Sequence, residues 1–141
     1  MRVSQKADYA LRAMIDLALS AGGSPLTNSE IARRSRIPEK FLEAILVDLR
    51  KAGLVQSRRG PDGGHLLARA AGQVSLAQIR AAVDGPLSIV ERNKRSDTRE
   101  AGLRAVWEEV ERGIARVLEE QTLDEMCRRV DSARRAPDFS I

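Results

Sequence analysis

The chain has 141 residues, enough for one compact domain or for a small domain whose core is completed by an appended helical segment, and too few for a multidomain enzyme. Its formal net charge is +4, unevenly spread: residues 1–70 carry 12 Lys+Arg against 7 Asp+Glu, a net of +5, and residues 71–141 carry 12 against 13, a net of −1. The basic first half would attract a polyanion such as nucleic acid or acidic lipid, while the single cysteine, Cys127, excludes an internal disulfide scaffold and a zinc ribbon.

The opening MRVSQKADYALRAM is broken by charge and has no secretory pattern, and no apolar run approaches the roughly 18 residues of a membrane span. A soluble, cytoplasmic protein that does not enter membranes is expected. From Ser4 to Ser20, Ala7, Ala10, Leu11, Met14, Ile15, Ala18 and Leu19 recur at three- and four-residue steps, which predicts an amphipathic helix stopped by Gly22, Gly23 and Pro25. Thr27 and Glu30 have capping-box spacing and open a short second helix that ends near Arg36. Pro38 suits the first turn of a third helix, whose apolar stripe is Phe41, Leu42, Ile45, Leu46 and Leu49 and whose stop is Gly53.

Between Leu54 and Arg69 the period changes. LVQSR and HLLAR flank the turn residues Arg59 to Gly64, which predicts a β-hairpin with a basic tip. Ser75 and Gln78 form a second capping box, opening a helix through Val83 that Gly85 and Pro86 end. Residues 91–100, ERNKRSDTRE, read as a polar connector. Leu103, Val106, Trp107, Val110, Ile114, Val117 and Leu118 then make a long stripe on one helix, Thr122 and Glu125 cap another short helix, and the tail from Ala136 is expected to be loosely ordered.

The fold expected is mainly α with a small β-hairpin: a winged helix-turn-helix in residues 1–85, then a connector, a long dimerisation helix and a short C-terminal helix in residues 86–141. In such a unit the third helix enters the major groove and the hairpin reaches the neighbouring backbone or minor groove. Lys40 could reach a phosphate or a guanine edge, and Glu43 could accept from a cytosine amino group; both also suit a solvated helix face. In the hairpin, Arg58 and Arg59 precede Gly60, Gly63 and Gly64, so a guanidinium can be carried close to a groove while the backbone turns tightly. Arg59 is the strongest single candidate for a DNA contact. Gln5 and Lys6 could donate to phosphate, as could residues of any exposed N-terminus.

The segments SQKADYALRAM, FLEAILVDLRKAGLVQSRRGPDGGHLLAR, AVDGP and TLDEM, in that order, identify the chain as similar to the IscR/NsrR/CymR-type (Rrf-two) family of bacterial winged-helix regulators. The resemblance covers nearly the whole chain. It implies a homodimer on a roughly palindromic double-stranded operator, with the helix around Val106 to Leu118 supplying much of the interface. Lys40, Phe41, Glu43 and Arg59 align with the family's operator-contacting positions, with Pro38 a further candidate beside them, although Lys40 and Phe41 replace the hydroxyl-bearing types often found there. Many family members hold an iron–sulfur cluster through three cysteines between the fourth helix and the dimer helix; here VERNKRSDTREAGLRAVW has none, and Arg104 stands where a cluster-binding relative has histidine. A member without cofactor or metal is therefore expected. Cys127 is expected to be a structural thiol or a redox site, and His65 to pack the wing.

A helix over residues 99–120 would extend roughly 30 Å, longer than a 70-residue winged unit needs to close its core, which favours pairing with a second copy. The function expected is a homodimeric, sequence-specific transcriptional repressor that responds to a metabolite, a partner protein or oxidation of Cys127. The alternative is a protein-interaction module that keeps the fold without operator binding. An enzyme is excluded by the lack of any nucleophile–base or metal-ligand constellation around the one His and one Cys.

Overall fold

The computed structural model describes residues 2–90 and 98–135. Six helices and one two-stranded antiparallel sheet follow in the order α1 (Gln5–Leu19), α2 (Asn28–Ser35), α3 (Glu39–Lys51), β1 (Val55–Arg58), β2 (Gly64–Leu67), a 3₁₀ turn (Ala71–Gln73), α4 (Leu76–Asp84), α5 (Thr98–Glu120) and α6 (Leu123–Arg135). Three of the first four helices start where a side chain satisfies an orphan amide, and α3, entered through Pro38, has no such cap. Ser4 accepts from Ala7 at the start of α1, Thr27 accepts from Glu30 at the start of α2, and Ser75 and Gln78 form the full reciprocal box at the start of α4.

Pro38 stands one residue before α3, at the N-cap, instead of within its first turn. The step from α2 to α3 is short because Arg36 takes the left-handed conformation (φ 54°), and its amide bonds Ala32. That geometry is unfavourable for a side chain with a Cβ. Burial of Ile37 directly after it holds the turn closed.

The core lies where α1, α2, α3 and the hairpin meet. Met14, Ile31, Leu42, Ile45, Leu46, Leu49 and Leu54 are fully buried there. The hairpin pairs Val55 with Leu67 and Arg58 with Gly64. A third extended piece joins it at Leu26, whose amide donates to the His65 carbonyl and whose carbonyl accepts from the His65 amide.

The last helix departs from expectation. α6 runs 13 residues and is not short, and Thr122 does not cap it through a box with Glu125. Instead the Thr122 hydroxyl donates to Asp124, Asp124 accepts from the Glu125 amide, and the Glu125 carboxylate turns to Arg128. Asp124 thus takes the capping task, and its carboxyl is held below the usual carboxylate range first by the Thr122 hydroxyl. A backbone bridge between Ser75 and Thr122 brings α6 back onto α1, where Leu123 and Met126 enter the same core as Val74 and Ile79. Residues 91–97 of the expected connector and the tail from Ala136 lie outside the described residues.

Because Leu123 is fully buried in that core, Leu123→Ala is expected to lower unfolding stability by about 2–5 kcal/mol, read as a shift in the urea midpoint at unchanged m. A loss within about 0.5 kcal/mol, as at a surface site, would show that α6 does not belong to the core.

Candidate nucleic-acid interface

α3 is amphipathic, and its inner face is Leu42, Ile45, Leu46 and Leu49. The opposite face is therefore forced outward, and it carries Lys40, Glu43, Ala44 and Val47, with Phe41 on its flank. Of the candidates read from sequence, Lys40, Phe41 and Glu43 come together here, and Pro38 sits at the helix mouth beside them. Phe41, which periodicity counts in the apolar stripe, stands 59% exposed at the edge of that stripe, and Ala44 and Val47, which the stripe leaves out, share the surface with it.

The hairpin tip lies after β1. Arg58 and Arg59 are exposed and make no ion pair among the described residues. The loop closes through the Gly63 amide, which donates to the Gly60 carbonyl at 2.9 Å. A Cβ on Gly63 would meet the Arg58 carbonyl oxygen at 2.4 Å, and one on Gly64 (φ 149°) would meet the Leu26 carbonyl oxygen at 2.6 Å. Both contacts are with backbone that cannot yield, so a side chain at either position would displace the tip and its arginines.

Gln5 and Lys6 are placed differently. Gln5 donates to the Tyr9 hydroxyl within α1, and Lys6 pairs with Asp48 of α3 at 2.8 Å. Both partners of that pair are partly exposed, so the bond contributes at most about 1 kcal/mol, but it ties the Lys6 charge to α3.

His65 lies under the wing. Its Nε2 bonds the Asn28 side-chain oxygen and its Nδ1 bonds the Ser57 hydroxyl, an arrangement that suits a neutral ring donating from Nε2 and accepting at Nδ1. Burial, and then the charge of Arg50, hold its pKa below the ordinary histidine value.

On α5, Leu103, Val106, Trp107, Val110 and Val117 are exposed, Trp107 by 57%. Ile114 and Leu118 of the same stripe are partly buried and turn inward instead. They line a groove of about 590 Å³ with Leu11 of α1, Leu76 of α4, and Leu87 and Ile89 of the segment that follows α4. Glu111 anchors that segment by accepting from the Ile89 amide at 2.8 Å. Cys127 is partly buried against the core on α6, far along the chain from the wing, and burial pushes its thiol pKa up, with Asp131 and Asp124 adding to the effect.

Three helices followed by a tethered hairpin, with an outward-facing third helix and a basic tip, define a winged helix-turn-helix transcriptional regulator. The chain belongs to the Rrf2 family, described as an iron-dependent transcriptional regulator, whose match runs over residues 3–129. It is similar to a helix-turn-helix-type transcriptional regulator of Mycobacterium tuberculosis, 39% identical over 131 residues that make up 90% of this chain and 81% of that protein. It is also similar to the CymR regulator of Bacillus subtilis, 32% identical over 141 residues and 100% of both chains. The solved structure of that CymR, called the global cysteine regulator of its organism, superposes with a TM-score of 0.81 at 30% identity, covering 92% of this chain and 98% of that one. The T. potens IscR structure gives a TM-score of 0.80 at 33% identity over 99% and 95% of the two chains. The family and its relatives are regulators of transcription and not enzymes.

The iron in the family description calls for donors. Iron–sulfur clusters are held by thiolates, with imidazole as the occasional substitute. This chain has one cysteine and one histidine. Cys127 lies on α6, and His65 lies in β2 with both ring nitrogens engaged. Among the described residues no group of three His, Cys, Asp or Glu comes together. The donor set does not fit a cluster.

His65 makes the wing sensitive to acid. As pH falls through the ordinary histidine range, the unfolded chain takes up a proton that the folded ring resists, so stability present above that range is lost towards the lowered folded value. The thermal midpoint of the wild type is expected to fall between pH 8 and pH 5.5 more steeply than that of His65→Gln. Parallel profiles would show that the ring titrates alike in both states.

Proposed function

We propose that the chain is a homodimeric, sequence-specific repressor of the cytoplasm that binds a roughly palindromic double-stranded operator and holds no iron–sulfur cluster. The observation that carries this reading is the apolar stripe of α5. Leu103, Val106, Trp107, Val110 and Val117 stand exposed along one side of a 23-residue helix, an arrangement whose apolar area calls for a partner helix. A second copy supplies one by two-fold symmetry, and the same symmetry presents two α3 helices and two wings to successive turns of one duplex face.

The division of labour follows. In each subunit α3 offers Lys40, Phe41 and Glu43 to base edges from the turn that Pro38 opens. Arg58 and Arg59, carried on the Gly60–Gly64 loop, reach the flanking backbone or minor groove. Gln5 and Lys6 lie at the start of α1 as secondary phosphate contacts. Ile114 and Leu118, seated in the groove against α1 and α4, attach the pairing helix to the reading head. Repression by occlusion of a promoter is the action proposed, with regulation by a metabolite, a partner protein or oxidation of Cys127.

Selection of bound duplexes from a random pool is the direct test. The wild type is expected to yield a two-fold-symmetric consensus, and Arg59→Ala to bind that duplex roughly 5- to 150-fold more weakly, with affinity falling steeply as salt rises. A protein that sediments as a monomer and prefers no duplex would remove the proposal. The cluster-free part has its own measurement: protein purified without oxygen is expected to be colourless, and stoichiometric iron with visible absorbance would overturn it.

A further inference from the structure

The outward face of α3 sets apolar groups among its charges, Glu39, Lys40, Glu43, Arg50 and Lys51. Phe41 is 59% exposed and Val47 36% exposed, and Ala44 lies between them on the exposed surface. At 3.6 residues per turn the three fall within about a third of the helix circumference. The described residues leave more than half of Phe41 uncovered, although burying a phenylalanine side chain contributes as much as any aliphatic core residue. A surface made only to grip phosphate would need cations, hydroxyls or free amides; this one offers Lys40, Arg50 and Lys51 but sets three apolar groups among them.

The duplex major groove displays one apolar feature, the C5-methyl group of thymine. The basic first half of the chain, the free arginines of the wing and the place of α3 in a winged helix all favour a duplex as the occupant of this face. We infer that Phe41, supported by Ala44 and Val47, reads thymine methyl groups, so that each operator half-site carries thymine under the first turns of α3. Glu43, on the other side of Lys40, accepts from a cytosine amino group close by. This inference rests on the proposed entry of α3 into the major groove and adds which chemical group the helix recognises there.

Deoxyuridine differs from thymidine only by that methyl, and it tests the inference without changing any base pair. In the duplex recovered by selection with the full-length chain, each thymine is replaced in turn by uracil, symmetrically in both half-sites. At one or two positions under α3, wild-type affinity is expected to fall about four-fold per methyl, the effect of one buried methyl group, and so about sixteen-fold for the symmetric pair. Phe41→Ala is expected to bind the thymine and uracil duplexes equally, while Phe41→Leu keeps most of the preference; circular dichroism and the thermal midpoint show whether each variant is folded.

Wild-type affinity unchanged by uracil at every position would overturn the methyl reading and leave operator binding intact. A Phe41→Ala variant that keeps the full thymine preference would overturn the role of Phe41. A Phe41→Ala variant whose subunit assembly changes in the absence of DNA would show that the face serves a protein contact instead. Absence of any duplex preference in the wild type would overturn this inference and the operator proposal together.

Discussion

The two-way backbone pairing of Leu26 with His65 is the constraint on which the reading surface depends. A hairpin of two four-residue strands is marginal by itself. Here its second strand is stapled to the residue before the α2 cap by amide bonds of 3.1 and 2.7 Å. The His65 ring extends the staple sideways, to Asn28 at the start of α2 and to Ser57 in β1. Gly64 lets the two backbones meet, since any Cβ there would strike the Leu26 carbonyl. The hairpin base thus has a fixed place relative to α2, and through the tight Arg36 turn relative to α3. Arg58 and Arg59 inherit their direction from that base, and only the loop beyond it is free to adapt.

Among the described residues, the exposed apolar groups of α3 and of α5 differ in kind. The α5 stripe is long, lies along one helix and is almost uncharged along its length, which suits another helix. The α3 patch is small and interrupted by Lys40 and Glu43, which suits a surface that is itself mixed. Charge follows the same division, because the net positive excess belongs to residues 1–70 and the rest of the chain is nearly balanced. The cysteine and the histidine take no part in either area. Each is engaged locally, Cys127 against the core and His65 under the wing.

Most of the element order was legible because the determinants are local. Ser75 and Gln78 close the capping box their spacing implies, Thr27 supplies the hydroxyl half of its own, and the change from helical to alternating period marks the hairpin. Contacts between distant residues were not legible. The third extended piece at Leu26 is a single bridge with no pattern of its own, and the bridge between Ser75 and Thr122 depends on where α5 returns the chain. At Thr122 the capping motif misled, since Asp124 lies nearer to the same amides and competes with the hydroxyl. Spacing makes the stripe on α5 one surface, yet Ile114 and Leu118 line the groove: periodicity reports which side of a helix is apolar but not where along it the body ends. Conversely, Lys6 reads as a free cation and proves to be tied to Asp48, a partner 42 positions away that no spacing rule reveals. For the reading surface, residue types at the helix start and the wing tip were visible, while the outward placement of Ala44 and Val47 followed only once the inner face was known.

The seating of Ile114 and Leu118 has a mechanical consequence. α5 is about 34 Å long at 1.5 Å per residue; Glu111, Ile114 and Leu118 seat it on the body, the Leu76 amide bonds the Gln121 carbonyl just past its end, and Leu103, Val106, Trp107 and Val110 stand exposed towards its start. It is therefore a lever pivoted at the groove. A tilt of about 5° at the pivot moves the start of the helix, about 24 Å away, by about 2 Å, less than the rise of one base pair along a strand. In the proposed pair the spacing between the two reading heads would then be set to within a single base step by how firmly a handful of leucine and isoleucine side chains grip the pivot.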